Sequence, residues 1–264
     1  MKISEKDFLE LRIAVDILEN PGIAARLSNY IGRPFEKSFD TLPEKWSNYI
    51  MKATKAALKK ALDCAVFTIK DGPAKYPANI AHKMLAGLSG AVGGAFGLIA
   101  LSLELPVSTT IMLRSIADIA KSEDEDISLI ETKLACLEVF ALGGASTSDD
   151  SAESGYLVIR SLMASYISQA AKYMAKGVLD EGAPVILKLI AIIASRFSVP
   201  VTQKFAAQLV PAVGAIGGAS INLIFIEHFQ DVARGHFMVR RLEKIYGRQL
   251  IQDEYEKIRR NGGL

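Results

Sequence analysis

The 264-residue chain is poor in the groups that most often announce a chemistry: it holds two cysteines, three histidines and one tryptophan. Cys64 and Cys136 stand far apart, which excludes a disulfide framework and any Cys-x-x-Cys metal or redox site. His228 and His236 are eight residues apart and so diverge by roughly 80° around a helix. No His-Glu-x-x-His or paired Glu-x-x-His is present, and no metal or other cofactor is expected. The nucleotide and hydrolase signatures, a Walker A loop, Gly-x-Gly-x-x-Gly and Gly-x-Ser-x-Gly, are absent as well. A net charge of +2 without a basic, aromatic-interleaved run argues against a nucleic-acid partner. Charges interrupt the first twenty residues, so no secretory h-region is read there, and a cytoplasmic location is expected.

Glycine and apolar residues are abundant instead. Half the residues are hydrophobic and the mean hydropathy is +0.23, between a soluble and a polytopic membrane protein. Two segments without a charge carry nearly the same hexapeptide, GAVGGA at 90–95 within residues 84–103 and GAIGGA at 214–219 within residues 205–226. As helices, both are long enough to cross the roughly 30 Å of a hydrocarbon layer. Glycine costs about 1 kcal/mol against alanine inside a helix, so Gly90, Gly93, Gly94 and Gly97 need compensation by close packing. Gly214, Gly217 and Gly218 offer the matching surface, and the two helices are expected to pack against each other. Duplication and convergence both account for the repeat.

Helical periodicity and its breakers organise the rest. An amphipathic helix over Phe8, Leu11, Val15 and Leu18 stops at Asn20-Pro21-Gly22, and a linker follows, with turn-favouring residues between Ile31 and Pro43. A long helix to about Ile69 follows, with Lys45, Lys52, Lys55 and Lys59 within roughly 80° of one another. That row is either a solvated face or a contact with anionic headgroups. Pro106 predicts a kink or restart, and Ser122–Asp126 a solvated acidic loop. Gly143-Gly144 ends the next helix, a mobile surface excursion is expected over 145–154, and two helices follow, over 156–175 and 184–197, the second bounded by Pro200 and too short to span. The expected whole is all-α: a single multi-helix bundle with the two glycine-rich helices at its centre. It divides into an N-terminal helix and linker (1–40), a core (41–250) and a polar C-terminal tail (251–264).

Polar groups at the ends of the apolar helices are the candidate site. Glu104 ends the first apolar run, and its burial demands a partner, for which Arg114 is the candidate; Asp118 follows Arg114 by one turn. Joined by Glu227, His228 and Asp231, these groups form either a polar pocket or a set of ties between helix ends. His236 shares a stripe with Phe225, Phe229, Val232 and Val239, the setting of a hydrogen-bonded core histidine.

Several blocks together resemble the EcsC protein family: Glu104-Leu-Pro-Val-Ser-Thr-Thr-Ile-Met-Leu-Arg-Ser-Ile-Ala-Asp-Ile-Ala120, Leu137 to Gly144, GAIGGASIN ending at Asn222, and His228 to Phe237. The resemblance implies a bacterial, membrane-linked accessory role beside an exporter-type ABC transporter, and no settled reaction. The expected function is accordingly binding of membrane lipid or an apolar ligand at the inner face of the cytoplasmic membrane, with a transporter subunit as candidate partner. The alternative is a hydrolase-like enzyme that acts on an apolar substrate through the carboxylate, arginine and histidine group.

Overall fold

A computed structural model describes residues 2–19, 22–31, 43–68, 97–144, 155–175, 183–210 and 214–261. Among the described residues all regular structure is helical: α1 (Glu5–Glu19), α2 (Ile23–Ile31), α3 (Glu44–Thr68), α4 (Gly97–Ser122), α5 (Ile130–Leu142), α6 (Tyr156–Met174), α7 (Pro184–Gln208), α8 (Gly214–Tyr246) and α9 (Arg248–Asn261). The start of α1 is set locally. The Ser4 hydroxyl accepts the Asp7 amide hydrogen at 3.1 Å and donates to the Asp7 carboxylate at 2.7 Å, so one residue caps the first turn. At the other end of the chain Gly247, at φ +90°, separates α8 from α9 in a conformation that side chains disfavour.

Helix α8, 33 residues and about 50 Å long, is the spine, against which α1, α2, α4, α5, α7 and α9 all pack. Two apolar cores form along it. The larger joins α2 to α8 and centres on Phe140, Phe197, Phe225 and Phe229, whose rings meet at centroid distances of 4.7 to 6.0 Å in tilted and edge-on pairs. The smaller joins Leu11, Ala14 and Val15 of α1 to Tyr156, Val239, Leu242, Ile251 and Tyr255. Residues 251–261, read from the sequence as the start of a polar tail, thus belong to an amphipathic helix that docks on α1. Helix α2, not read from the sequence, ends at Ile31, where the turn-rich stretch begins.

Of the kink or restart expected at Pro106 the restart does not occur, and the helix end expected near residue 197 needs correction. Helix α4 runs through Pro106 and α7 through Pro200, to Gln208 instead of ending near residue 197. Neighbouring hydroxyls bond main-chain carbonyls around each proline: Ser108 donates to Leu105 at 3.2 Å and Thr110 to Pro106 at 2.7 Å, Ser198 to Ser195 at 3.1 Å and Thr202 to Ser198 at 2.7 Å. The second apolar run is not one helix, because α7 ends at Gln208 and α8 begins at Gly214, with Pro211 between them. Among the described residues the helix long and apolar enough to cross a membrane is α7, and its apolar stretch is 50% buried inside the protein.

Of the glycine-packing residues, Gly90, Gly93 and Gly94 lie outside the described residues, as does the 145–154 excursion. Gly97 opens α4, and Gly214, Gly217 and Gly218 open α8. Helices α4 and α8 do pack on each other, with Gln230 donating to the Ser115 hydroxyl at 2.6 Å. That contact lies well beyond the glycines.

Candidate functional site

The acidic segment after α4 exposes Ser122, Asp124 and Asp126, as a solvated loop would, but Glu123 and Glu125 clamp it to α8. Glu123 accepts from Arg241 Nε at 2.8 Å, and buried Glu125 accepts from Arg240 at 2.7 and 3.2 Å and from Lys244 at 3.0 Å. Burial alone would raise the Glu125 carboxyl, but the hydrogen bonds and charges of Arg240 and Lys244 outweigh it and hold the group below its ordinary value. Arg241 also bonds Glu10, which ties α1 to the same face of α8.

Glu104 is buried as expected, and the cation that holds it is Lys204 of α7; their side chains are 4% and 0% exposed. The Lys204 ammonium also lies 5.0 Å from the Phe225 ring centroid, so α4, α7 and α8 converge on one buried charge pair. Arg114, expected as the partner, is on the exposed face of α4, with Asp118 half-buried one turn on. Asp231 instead pairs with Arg26 at 2.8 Å and Arg234 at 2.5 Å, while Glu227 is half-buried.

His228 caps the end of α5. Its Nε2–H donates to the Gly143 carbonyl at 2.7 Å, while Arg196 donates to the Ala141 and Gly144 carbonyls at 3.0 Å each. Burial is the main cause that holds the His228 imidazole down at about 4. An unfolded histidine takes up its proton near 6.5, so His228 favours the fold above that pH, and the contribution fades as pH falls from 6.5 to about 4. We expect denaturant melts between pH 7 and 4 to show wild-type stability falling by about 3 kcal/mol more than that of His228→Asn. Equal slopes would remove the cap from this account.

The structure thus pairs Glu104 with Lys204, sets His228 on the α5 terminus and Asp231 against α2, and puts Arg114 on the exposed side of α4 with Asp118 and Glu227 half-buried. His236 is a fully buried core histidine whose Nδ1 lies 2.9 Å from the Tyr156 hydroxyl. Around it stand groups that the sequence did not single out. Glu138 of α5 is 3% exposed, with Oε2 at 3.8 Å from His236 Nε2, and Arg160 of α6 makes a two-point bond to Glu243 at 2.8 and 2.6 Å. Burial pushes the Glu138 carboxyl up to about 7, against the opposing charges of Arg160, Arg240 and Arg248. Burial, with Arg160 and Arg240, also keeps His236 neutral well below the usual histidine range. Only a lone glutamate amid the apolar run of α5 hinted at this cluster.

Among the described residues no three of His, Cys, Asp and Glu converge in a geometry that could hold a metal ion. The fold and its buried ion pairs define an all-α bundle whose polar groups chiefly join helices. Residues 6–242 match the EcsC protein family, and the chain belongs to that family. No curated protein and no solved structure matches it.

Proposed function

We propose that the protein is a helical accessory protein that binds membrane lipid or an apolar ligand at an anionic membrane surface, with an ABC-type transporter subunit as its protein partner. The observation that carries this reading is the solvent-facing lysine row of α3. Lys52 and Lys55 are exposed and Lys59 half-exposed on one side of the helix, with exposed Lys60 beside them; the Lys45 side chain lies outside the described residues. Helix α4, which packs on α3, adds Leu103 and Val107, 71% and 46% exposed on successive turns of one face. A basic row on one helix and protruding aliphatic side chains on the helix packed against it are the residue types that suit anionic headgroups and the acyl boundary beneath them. The groups on which a hydrolase would rely are engaged otherwise: Glu104 by Lys204, and His228 by a backbone carbonyl.

Each lysine near an anionic surface contributes about 1 kcal/mol, so Lys52→Gln, Lys55→Gln and Lys59→Gln together should weaken binding to phosphatidylserine vesicles by roughly two orders of magnitude. Co-sedimentation with vesicles checks this. Wild-type binding should fall steeply with added salt and be weak on pure phosphatidylcholine. Equal binding to both vesicle types, or no loss in the triple variant, would overturn the proposal.

A further inference from the structure

The seam between the two apolar cores holds two neighbouring buried side chains, each with an unsatisfied polar atom. Glu138 Oε1 and His236 Nε2 have no hydrogen-bond partner among the described residues, although both atoms are shielded from solvent. Natural interiors rarely leave such atoms on two neighbouring side chains without a reason, and these two side chains approach through Glu138 Oε2 and His236 Nε2, at 3.8 Å. The charges nearby are already committed. From α6, Arg160 is held by Glu243 of α8; from α8, Arg240 is held by Glu125; from α9, Arg248 acts only at a distance. Arg196 of α7 serves the end of α5, on the Ala141 and Gly144 carbonyls. Helices α3 and α4 contribute one buried charge among their described side chains, Glu104, and Lys204 holds it. The Cys136 thiol, also on α5, is pushed up to about 12 by burial and stays neutral.

We infer that Glu138 and His236 form a buried proton-binding site that latches the terminal helices α1 and α9 onto the bundle. With the proton bound, Glu138 is a neutral acid that can donate to His236 Nε2 after a small side-chain shift, while Nδ1–H donates to the Tyr156 hydroxyl. When the proton leaves to solvent, the imidazole hydrogen moves to Nε2 and faces the new carboxylate, and the Tyr156 hydroxyl donates to Nδ1. Both states keep the hydrogen-bond chain, and they differ by one buried negative charge. That charge has no dedicated cation, so it favours entry of water and separation of the seam.

The consequence reaches the chain ends through Tyr156. Its ring lies 5.5 Å from that of Tyr255 in α9, and the Tyr255 hydroxyl donates to Glu19 of α1 at 2.7 Å. The same Glu19 oxygen accepts the Tyr156 amide hydrogen at 3.3 Å. A seam that opens at Tyr156 therefore loosens both terminal helices and exposes the apolar faces with which they cover the smaller core.

Hydrogen exchange of α1 and α9 between pH 6 and 8, corrected for the intrinsic pH dependence of exchange, tests the latch. A site that takes up one proton on closing, and titrates near neutrality while closed, predicts about a tenfold loss of protection across that interval in the wild type. Glu138→Gln should show the same protection at both ends. Infrared spectroscopy of the wild type provides a readout that needs no variant: a protonated carboxylic acid band present at pH 6 and lost by pH 8 without unfolding. Constant wild-type protection, the same tenfold loss in Glu138→Gln, or no protonated carboxyl at pH 6 would each overturn the inference.

Discussion

Glu104→Gln should lower stability by about 3 to 5 kcal/mol, because it strands the Lys204 ammonium in a site where the side chain is 0% exposed. For a chain of this size that corresponds to a fall in Tm of roughly 10 °C, read by calorimetry or by loss of helical circular dichroism. The Phe225 face, 5.0 Å from the ammonium, recovers little of the lost pairing. The informative comparison is the double change Glu104→Leu with Lys204→Met, which fills the volume without any charge. Apolar replacement of a whole buried pair is commonly neutral or stabilising, so the double variant should return to within about 1 kcal/mol of the wild type, or exceed it. A double variant as weak as the single one would place the cost in packing around residue 104 and not in an orphaned charge. The same double variant should bind anionic vesicles as the wild type does, since neither group faces solvent.

Local patterns carried much of the fold, but not the partners of its buried groups. The helical stripe in α1, the stop before Gly22, the long α3 after Pro43 and the Gly143-Gly144 end of α5 follow from periodicity and from residues that cap or break helices. Pro200 misled, and the restart allowed at Pro106 does not occur, because a proline removes one amide and not the helix around it; Ser108, Thr110, Ser198 and Thr202 bond the adjoining carbonyls. Glu104 was recognisable as a buried acid from its place in an apolar run. Its partner was not, since Lys204 lies 100 residues away and no spacing rule links α4 to α7. The acidic segment shows the same limit. Five consecutive polar residues read as solvated, yet Arg240, Arg241 and Lys244 meet them from far along the chain. Glu138 escaped notice because one acid in a buried helix carries no local mark of the histidine that it faces.

Gly144→Ala should cost more than Gly143→Ala, although the two glycines adjoin and end the same helix. A Cβ on Gly144 would lie 2.4 Å from the Arg196 carbonyl oxygen and 2.6 Å from its carbon, both backbone atoms within α7. A Cβ on Gly143 would meet the edge of the Phe229 ring at 2.6 Å, and a side chain can turn where a helix backbone cannot. Glycine at 144 is what lets the chain run against the α7 backbone, since any Cβ there would meet the Arg196 carbonyl group. The Arg196 side chain then returns to bond Ala141 and Gly144, so α5 and α7 are joined at backbone contact and by hydrogen bonds at one spot. We expect about 3 kcal/mol of destabilisation for Gly144→Ala, at the upper end of what overpacking costs, and about 1 kcal/mol for Gly143→Ala, both from denaturant midpoints at unchanged slope. A reversed order would mean that the end of α5 and α7 do not meet backbone to backbone at Gly144.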